Sequence, residues 1–169
     1  MKKVCVQGLG FVGSAIAVAI ANAKNNDGNF IFNVAGIDLE NISGQQRIKH
    51  INQGIFPFPN NDQELKEATF EAIQRGNLKA YSDPSHYKDA DYIIVSIPFN
   101  LSGLERGERQ FLWDDFKESI RQFSCLMRPE CLVIVETTVP PGTCRQVILP
   151  IIQKEFSRRN IQRSPLLAH

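Results

Sequence analysis

Short runs of β-branched and aliphatic residues alternate along this chain with longer stretches in which apolar residues recur at helical spacing. Residues 4–7 read as a first strand. Residues 11 to about 23 carry Val12, Ile16, Ala19, Ile20 and Ala23 on a helical stripe. The cluster NNDGN at 25–29 predicts a loop, and residues 30–38 a second strand. Two helical segments follow. The second is expected to start near Asn61, with Glu64 three positions on as in a capping box, to bury Leu65, Ala68 and Ala72, and to stop at Gly76. Residues 78–81 form a short third strand and residues 91–98 a fourth, ended by proline. Trp113, Phe116, Ile120, Phe123 and Met127 mark a helix closed by Pro129, and LVIVETT at 132–138 a fifth strand. The last helix opens near Gly142 and meets Pro150 inside its pattern, where a missing donor and a steric clash predict a kink. Strands alternating with helices in this way predict a parallel sheet.

The turn after the first strand adds chemistry to the pattern. In VCVQGLGFVGSA, Gly8, Gly10 and Gly13 stand in G-x-G-x-x-G spacing between strand and helix, with Phe11 and Val12 opening the helix. The first glycine permits the tight turn, the second lets backbone approach a pyrophosphate, and the third lets helix and strand pack closely. Phosphates would then meet free amides at the positive helix end. Asp38, ending the second strand, is placed to accept hydrogen bonds from the adenosine ribose hydroxyls and to repel the 2′-phosphate of NADP, so NAD is the expected cofactor. The fold class implied is α/β: a Rossmann-like doubly wound parallel sheet of about six strands with helices on both faces.

The strand LVIV breaks into ETTVPPGT at 136–143 on the sheet edge where such folds collect ligands. Pro140 and Pro141 stiffen the turn and hold the threonine hydroxyls of Thr137 and Thr138 on it. A plainer reading of the same residues is a proline-bound turn with Thr143 as an N-cap and Glu136 in solvent.

Composition narrows the function. A chain of 169 residues with 43% hydrophobic content fits one domain with a real core, here residues 1–169. Nineteen Lys and Arg against eighteen Asp and Glu leave a charge of +1, too little to hold a nucleic acid. No signal peptide or membrane span is visible, and Cys5, Cys125, Cys131 and Cys144 form no C-x-x-C pair, which suggests reduced thiols and a cytoplasmic setting. His50, His86 and His169 lack the spacing of a metal site and are expected at the surface. Cys144, in the first turn of the last helix, is a conceivable nucleophile, though a packed thiol is the better reading. The basic run Lys154, Arg158, Arg159 and Arg163 reads as a solvated helix end.

Taken together, GLGFVG at 8–13, Asp38, INQG at 51–54, ADYIIVSIP at 90–98 and ETTVPPGT at 136–143 resemble the UDP-glucose/GDP-mannose 6-dehydrogenase family over most of the chain. The resemblance implies oxidation of a nucleotide sugar at C6 from alcohol to carboxylate with two NAD, in a homodimeric full-length enzyme. It gives Thr138 a catalytic role, holding a water beside the nicotinamide, and places Pro98 at the cofactor. ETTVPPGT and SPLLAH are faintly similar to the UDP-N-acetylhexosamine branch. Phe99-Asn100 departs from the family, which usually has threonine after Pro98, and the charged loop 101–111 reads as a solvated connector. The family's cysteine nucleophile and its partners have no counterpart here, and IQRSPLLAH at 161–169 resembles its sixth strand. A truncated cofactor domain, able to bind NAD and not to complete the oxidation alone, is the expectation. A 3-hydroxyacid or 6-phosphogluconate-type dehydrogenase, or a non-catalytic NAD-sensing module, are the alternatives.

Overall fold

The computed structural model describes residues 1–99, 101–102, 110–111 and 113–169. In chain order the main elements are β1 (Lys2–Gln7), α1 (Phe11–Ala21), β2 (Phe32–Ile37), α2 (Ile42–Asn52), α3 (Gln63–Arg75) and β3 (Leu78–Tyr81). A 3-10 turn (Pro84–Asp89) leads into β4 (Tyr92–Val95). Then come two short strands, β5 (Leu101–Ser102) and β6 (Gln110–Phe111), followed by α4 (Trp113–Ser124), β7 (Leu132–Val135), α5 (Leu149–Arg158) and β8 (Leu166–Ala168).

Six strands form one parallel sheet in the order β3-β2-β1-β4-β7-β8. Alternate residues of the strands feed two cores. On one face Val4, Val6, Val34 and Leu78 pack with Ala17, Val18 and Ala21 of α1, Ile48 and Ile51 of α2 and Ala72 of α3. On the other, Cys5, Ile93, Val95, Val133 and Val135 pack with Phe116, Ile120 and Phe123 of α4 and Ile152 and Phe156 of α5. Burial on both faces explains why the strands read as continuous apolar runs. The order reverses between β1 and β4, so the loops after these strands leave to opposite faces and open a crevice. Among the described residues no helix is long and apolar enough to cross a membrane.

Several boundaries differ from the sequence expectation, each for a local reason. The second strand starts at Phe32, because Phe30 is held in an antiparallel bridge to Lys24 across the 25–29 turn. The helix expected to cap at Asn61 caps at Asp62, whose Oδ1 accepts from the Leu65 amide at 2.9 Å; it ends at Gly76 in the left-handed conformation, as expected. Pro150 produces a wide turn rather than a bare kink. Residues Cys144–Ile148 are π-helical and the Leu149 amide reaches back to the Cys144 carbonyl, which accommodates a proline that cannot donate. Thr143 is helical in backbone and caps nothing; its hydroxyl donates to the Pro140 carbonyl at 2.7 Å. Within 101–111, β5 and β6 pair antiparallel, with Leu101 opposite Phe111; Asn100 and residues 103–109 lie outside the described residues.

Three of the four residues of the basic run near the C-terminus, all exposed as expected, also make polar contacts. Arg159 donates to the carbonyls of Ser124 and Met127, tying the end of α5 to the end of α4. Arg158 pairs with the buried Glu155, and Arg163 with Glu130. Near the same edge, before β4, Asp91 accepts from the Lys3 amide at 2.7 Å and from Arg128 at 2.9 Å. The Lys3 amide first, then Arg128 and Lys2, hold its carboxyl below the ordinary range. A depressed carboxyl stabilises the fold above its unfolded pKa and loses that contribution as pH falls through the folded value. Asp91→Asn should therefore lower the melting temperature at pH 7, and the difference from wild type should vanish in strong acid; equal shifts at both pH values would show that the charge is irrelevant.

Candidate functional site

β1 ends at Gln7 and the chain turns sharply at Gly8, whose φ of +88° only glycine adopts without strain. A Cβ there would also stand 2.6 Å from the Ser96 carbonyl oxygen at the end of β4. Gly13 lies one turn into α1, where a Cβ would overlap the Gly8 carbonyl oxygen, so helix and turn touch backbone to backbone. Gly10 is different: φ is ordinary and a Cβ would meet nothing within 4 Å. Its lack of a side chain leaves space beside the helix start that the protein does not use. α1 opens on Gly10 with no side-chain cap and no acidic residue in its first turn. Its N-terminal amides are thus available to an anion.

A cleft of about 630 Å³ runs from this turn along the carboxyl edge of the sheet. Gly8, Gly10, Phe11, Asp38 and Pro98 of the sequence-predicted residues are brought together in its walls. Val12, Gly13 and Thr138 are not in the walls. Val12 is exposed on the first turn of α1, Gly13 is buried against Gly8, and Thr138 is exposed beyond the end of β7. Thr137 turns inward, its hydroxyl 2.7 Å from the Ile97 carbonyl and 3.2 Å from that of Val95, and so ties the β7 turn to the end of β4. Phe99 packs edge-on against Trp113 and Phe116, an apolar use of a position where the family resemblance suggested a polar contact.

Asp38 is only 8% exposed, and its carboxylate is engaged. Oδ1 accepts from the Leu39 amide at 2.7 Å. Arg47 grips both oxygens, Nε to Oδ2 at 2.7 Å and an Nη to Oδ1 at 3.1 Å. This hydrogen bond, and the charge behind it, push the Arg47 pKa further up against the opposing effect of burial. Arg47 also lines the cleft. Sequence reading missed it, although a signal existed: Gly44, Ile48 and Ile51 mark the sheet-facing stripe of α2, and residue 47 falls on that stripe. Gln7, Tyr87, Ser119 and Gln122 are further wall residues that no motif flagged.

None of the four thiols is activated by its surroundings. Burial, foremost, pushes Cys5 and Cys131 up to about 12, and it also raises Cys125 and Cys144. Cys144, packed partly against the α4–α5 core, therefore has the opposite of the activation that a helix N-terminus could give. Of the histidines, His50 and His169 are exposed, whereas His86 is half-buried, stacked on Tyr81 with ring centroids 3.7 Å apart. Among the described residues no group of His, Cys, Asp and Glu could hold a metal ion.

The model of the UDP-glucose/GDP-mannose dehydrogenase family, NAD binding domain, matches residues 2–165. The chain is 28% identical over 142 residues to a UDP-N-acetyl-D-mannosamine dehydrogenase of Methanocaldococcus jannaschii, an alignment covering 84% of this chain and 29% of that protein. It is 26% identical to protein CapL of Staphylococcus aureus, covering 90% and 31%. Its fold matches the crystal structure of NDP-N-acetyl-D-galactosaminuronic acid dehydrogenase from Methanosarcina mazei Go1 with a TM-score of 0.79 at 24% identity, covering 92% of this chain and 31% of that one. The chain thus spans about a third or less of the length of these relatives.

Proposed function

The chain belongs to the UDP-glucose/GDP-mannose dehydrogenase family, whose NAD binding domain it matches; from that premise we propose that it lays NAD across the cleft between Gly10 and Asp38, as the cofactor domain of a nucleotide-sugar 6-dehydrogenase. The observation that carries the reading is the pairing, in one cleft, of an uncapped helix start beside an unfilled Gly10 with a buried carboxylate on the neighbouring strand. A pyrophosphate fits the first, because a side chain at Gly10 would occupy its space and the α1 amides face it. A ribose diol fits the second, because a carboxylate accepts from both hydroxyls.

When bound, the nicotinamide supplies a hydride acceptor. The chain's own residues orient it: Gly8 and Gly13 fix the turn, Asp38 holds the adenosine end, and Pro98 lines the wall after β4. Thr138, at the far edge beyond β7, is assigned to the catalytic water of the reacting end; Thr137 anchors the turn that carries it. The substrate class is a nucleotide sugar, with the UDP-N-acetylhexosamines favoured by relatives named as UDP-N-acetyl-D-mannosamine dehydrogenases. The cysteine nucleophile of this chemistry is assigned to a portion of such an enzyme outside residues 1–169, since all four thiols here are raised and none lines the cleft.

Titration calorimetry of this chain with NAD and NADP tests the reading. NAD should bind the more tightly, and neither UDP-glucose nor a UDP-N-acetylhexosamine should produce NADH with this chain alone. Absence of dinucleotide binding would end the proposal; NADH formation by residues 1–169 would overturn the assignment of the nucleophile elsewhere.

A further inference from the structure

Two side-chain oxygens in the cleft region are buried without a partner. Gln7, the last residue of β1, donates its Nε2 to the Ser119 carbonyl of α4 at 2.8 Å. That bond fixes the amide orientation and leaves Oε1 as a buried acceptor with no donor. The hydroxyl of Tyr87, from the 3-10 turn, is likewise buried and unpaired. Burial first, then the charges of Cys5 and Asp38, push its pKa up against the opposing effect of the nearby Gln7 amide, with which it forms no hydrogen bond of good geometry. Both residues line the cleft. Buried polar groups are nearly always paired, and leaving one unpaired costs about 1–3 kcal/mol. Two such atoms lie beneath the surface of the cleft wall, where a small shift of the wall would bring them to a bound group.

Resting on the NAD reading, we propose that Gln7 and Tyr87 read the base of the dinucleotide: Gln7 Oε1 accepts from the 6-amino group of adenine, and the Tyr87 hydroxyl donates to the adjacent ring nitrogen. Position supports this, because a base attached to the ribose at Asp38 lies beside that carboxylate, and Tyr87 is within its electrostatic reach. Apolar faces are at hand in Leu39, 60% exposed, and Pro98, both in the cleft walls. The donor pattern supports it further. Adenine presents a donor next to an acceptor, the complement of an amide oxygen next to a hydroxyl. Hypoxanthine presents the reverse, an acceptor at position 6 and a donor at the ring nitrogen. The hydroxyl could rotate to suit it; the Gln7 amide could not turn over without giving up Ser119.

The test is calorimetry with NAD and with its deaminated analogue, nicotinamide hypoxanthine dinucleotide, which alters only this edge. Wild type should favour NAD by about tenfold or more. Gln7→Leu should bring the two affinities together, and Tyr87→Phe, which keeps the ring packed on Phe123, should narrow the gap; thermal melts establish that each variant is folded. Equal affinity in wild type would overturn base reading while leaving the NAD assignment standing, and would mean that water satisfies the two oxygens. A preference for NAD unaffected by both variants would also overturn it. Failure of both dinucleotides to bind would remove the NAD reading and this proposal together.

Discussion

Asp38→Ala should weaken NAD binding by roughly ten- to a hundredfold, the loss of a charge-assisted hydrogen bond worth about 1.5–3 kcal/mol. It should also cost stability, which a freely solvated ribose ligand would not. The carboxylate accepts from the Leu39 amide and from two nitrogens of Arg47, and its side chain is 5% exposed against 23% for Arg47. Removing it leaves a partly buried guanidinium unpaired, and that loss is the reason for expecting a lower melting temperature. Arg47→Ala separates the two roles. It frees Oδ2, leaves Oδ1 with the Leu39 amide alone, and removes the cation that would soften repulsion of a 2′-phosphate. Discrimination against NADP should therefore widen, with NAD affinity held or improved. Calorimetry on the two single variants and the double variant reads all of this. NAD affinity unchanged in Asp38→Ala would remove Asp38 from the site, and unchanged NADP affinity in Arg47→Ala would show that its charge does not reach the 2′ position.

Arg47 also shows where sequence reading stops. The order of strands and helices was legible, since strands buried on both faces and helices with one apolar stripe leave distinct periods. So were the places of Gly8 and Asp38, because a glycine turn between a strand and a helix, and an acid ending the next strand, are set by local position alone. What was not legible depends on partners far along the chain. The grip of Arg47 on Asp38 appears only once α2 is laid against β2. The unpaired Gln7 oxygen appears only once α4, 112 residues away, takes the amide hydrogen. Spacing alone does not separate Thr137 from Thr138 in ETTVPPGT, and only the family resemblance singled out Thr138; in the structure the Thr137 hydroxyl is tied to the carbonyls of Val95 and Ile97 and Thr138 faces solvent. Boundaries moved for smaller reasons, such as Asp62 outcompeting Asn61 as a cap, and a π-helical turn absorbing Pro150.

The glycines of the first turn should fail in opposite ways. Gly13→Ala should unfold the domain or lower its stability by roughly 3 kcal/mol or more, because the new methyl group would overlap the Gly8 carbonyl oxygen and a backbone atom cannot swing aside as a side chain can. Repacking would have to separate α1 from β1, which opens the core that Val4, Val6, Ala17 and Val18 share. Gly10→Ala should melt close to wild type, since its Cβ meets nothing within 4 Å and its φ of −60° suits any residue. Its cost should fall on NAD instead, as the methyl group enters the space left for the pyrophosphate. Thermal melts in the absence of cofactor, then titration of NAD into each folded variant, separate the two effects. Normal NAD affinity in Gly10→Ala would mean that the open space beside α1 is not where the phosphates lie, and a fully stable Gly13→Ala would mean that helix and turn are less tightly joined than their backbones indicate.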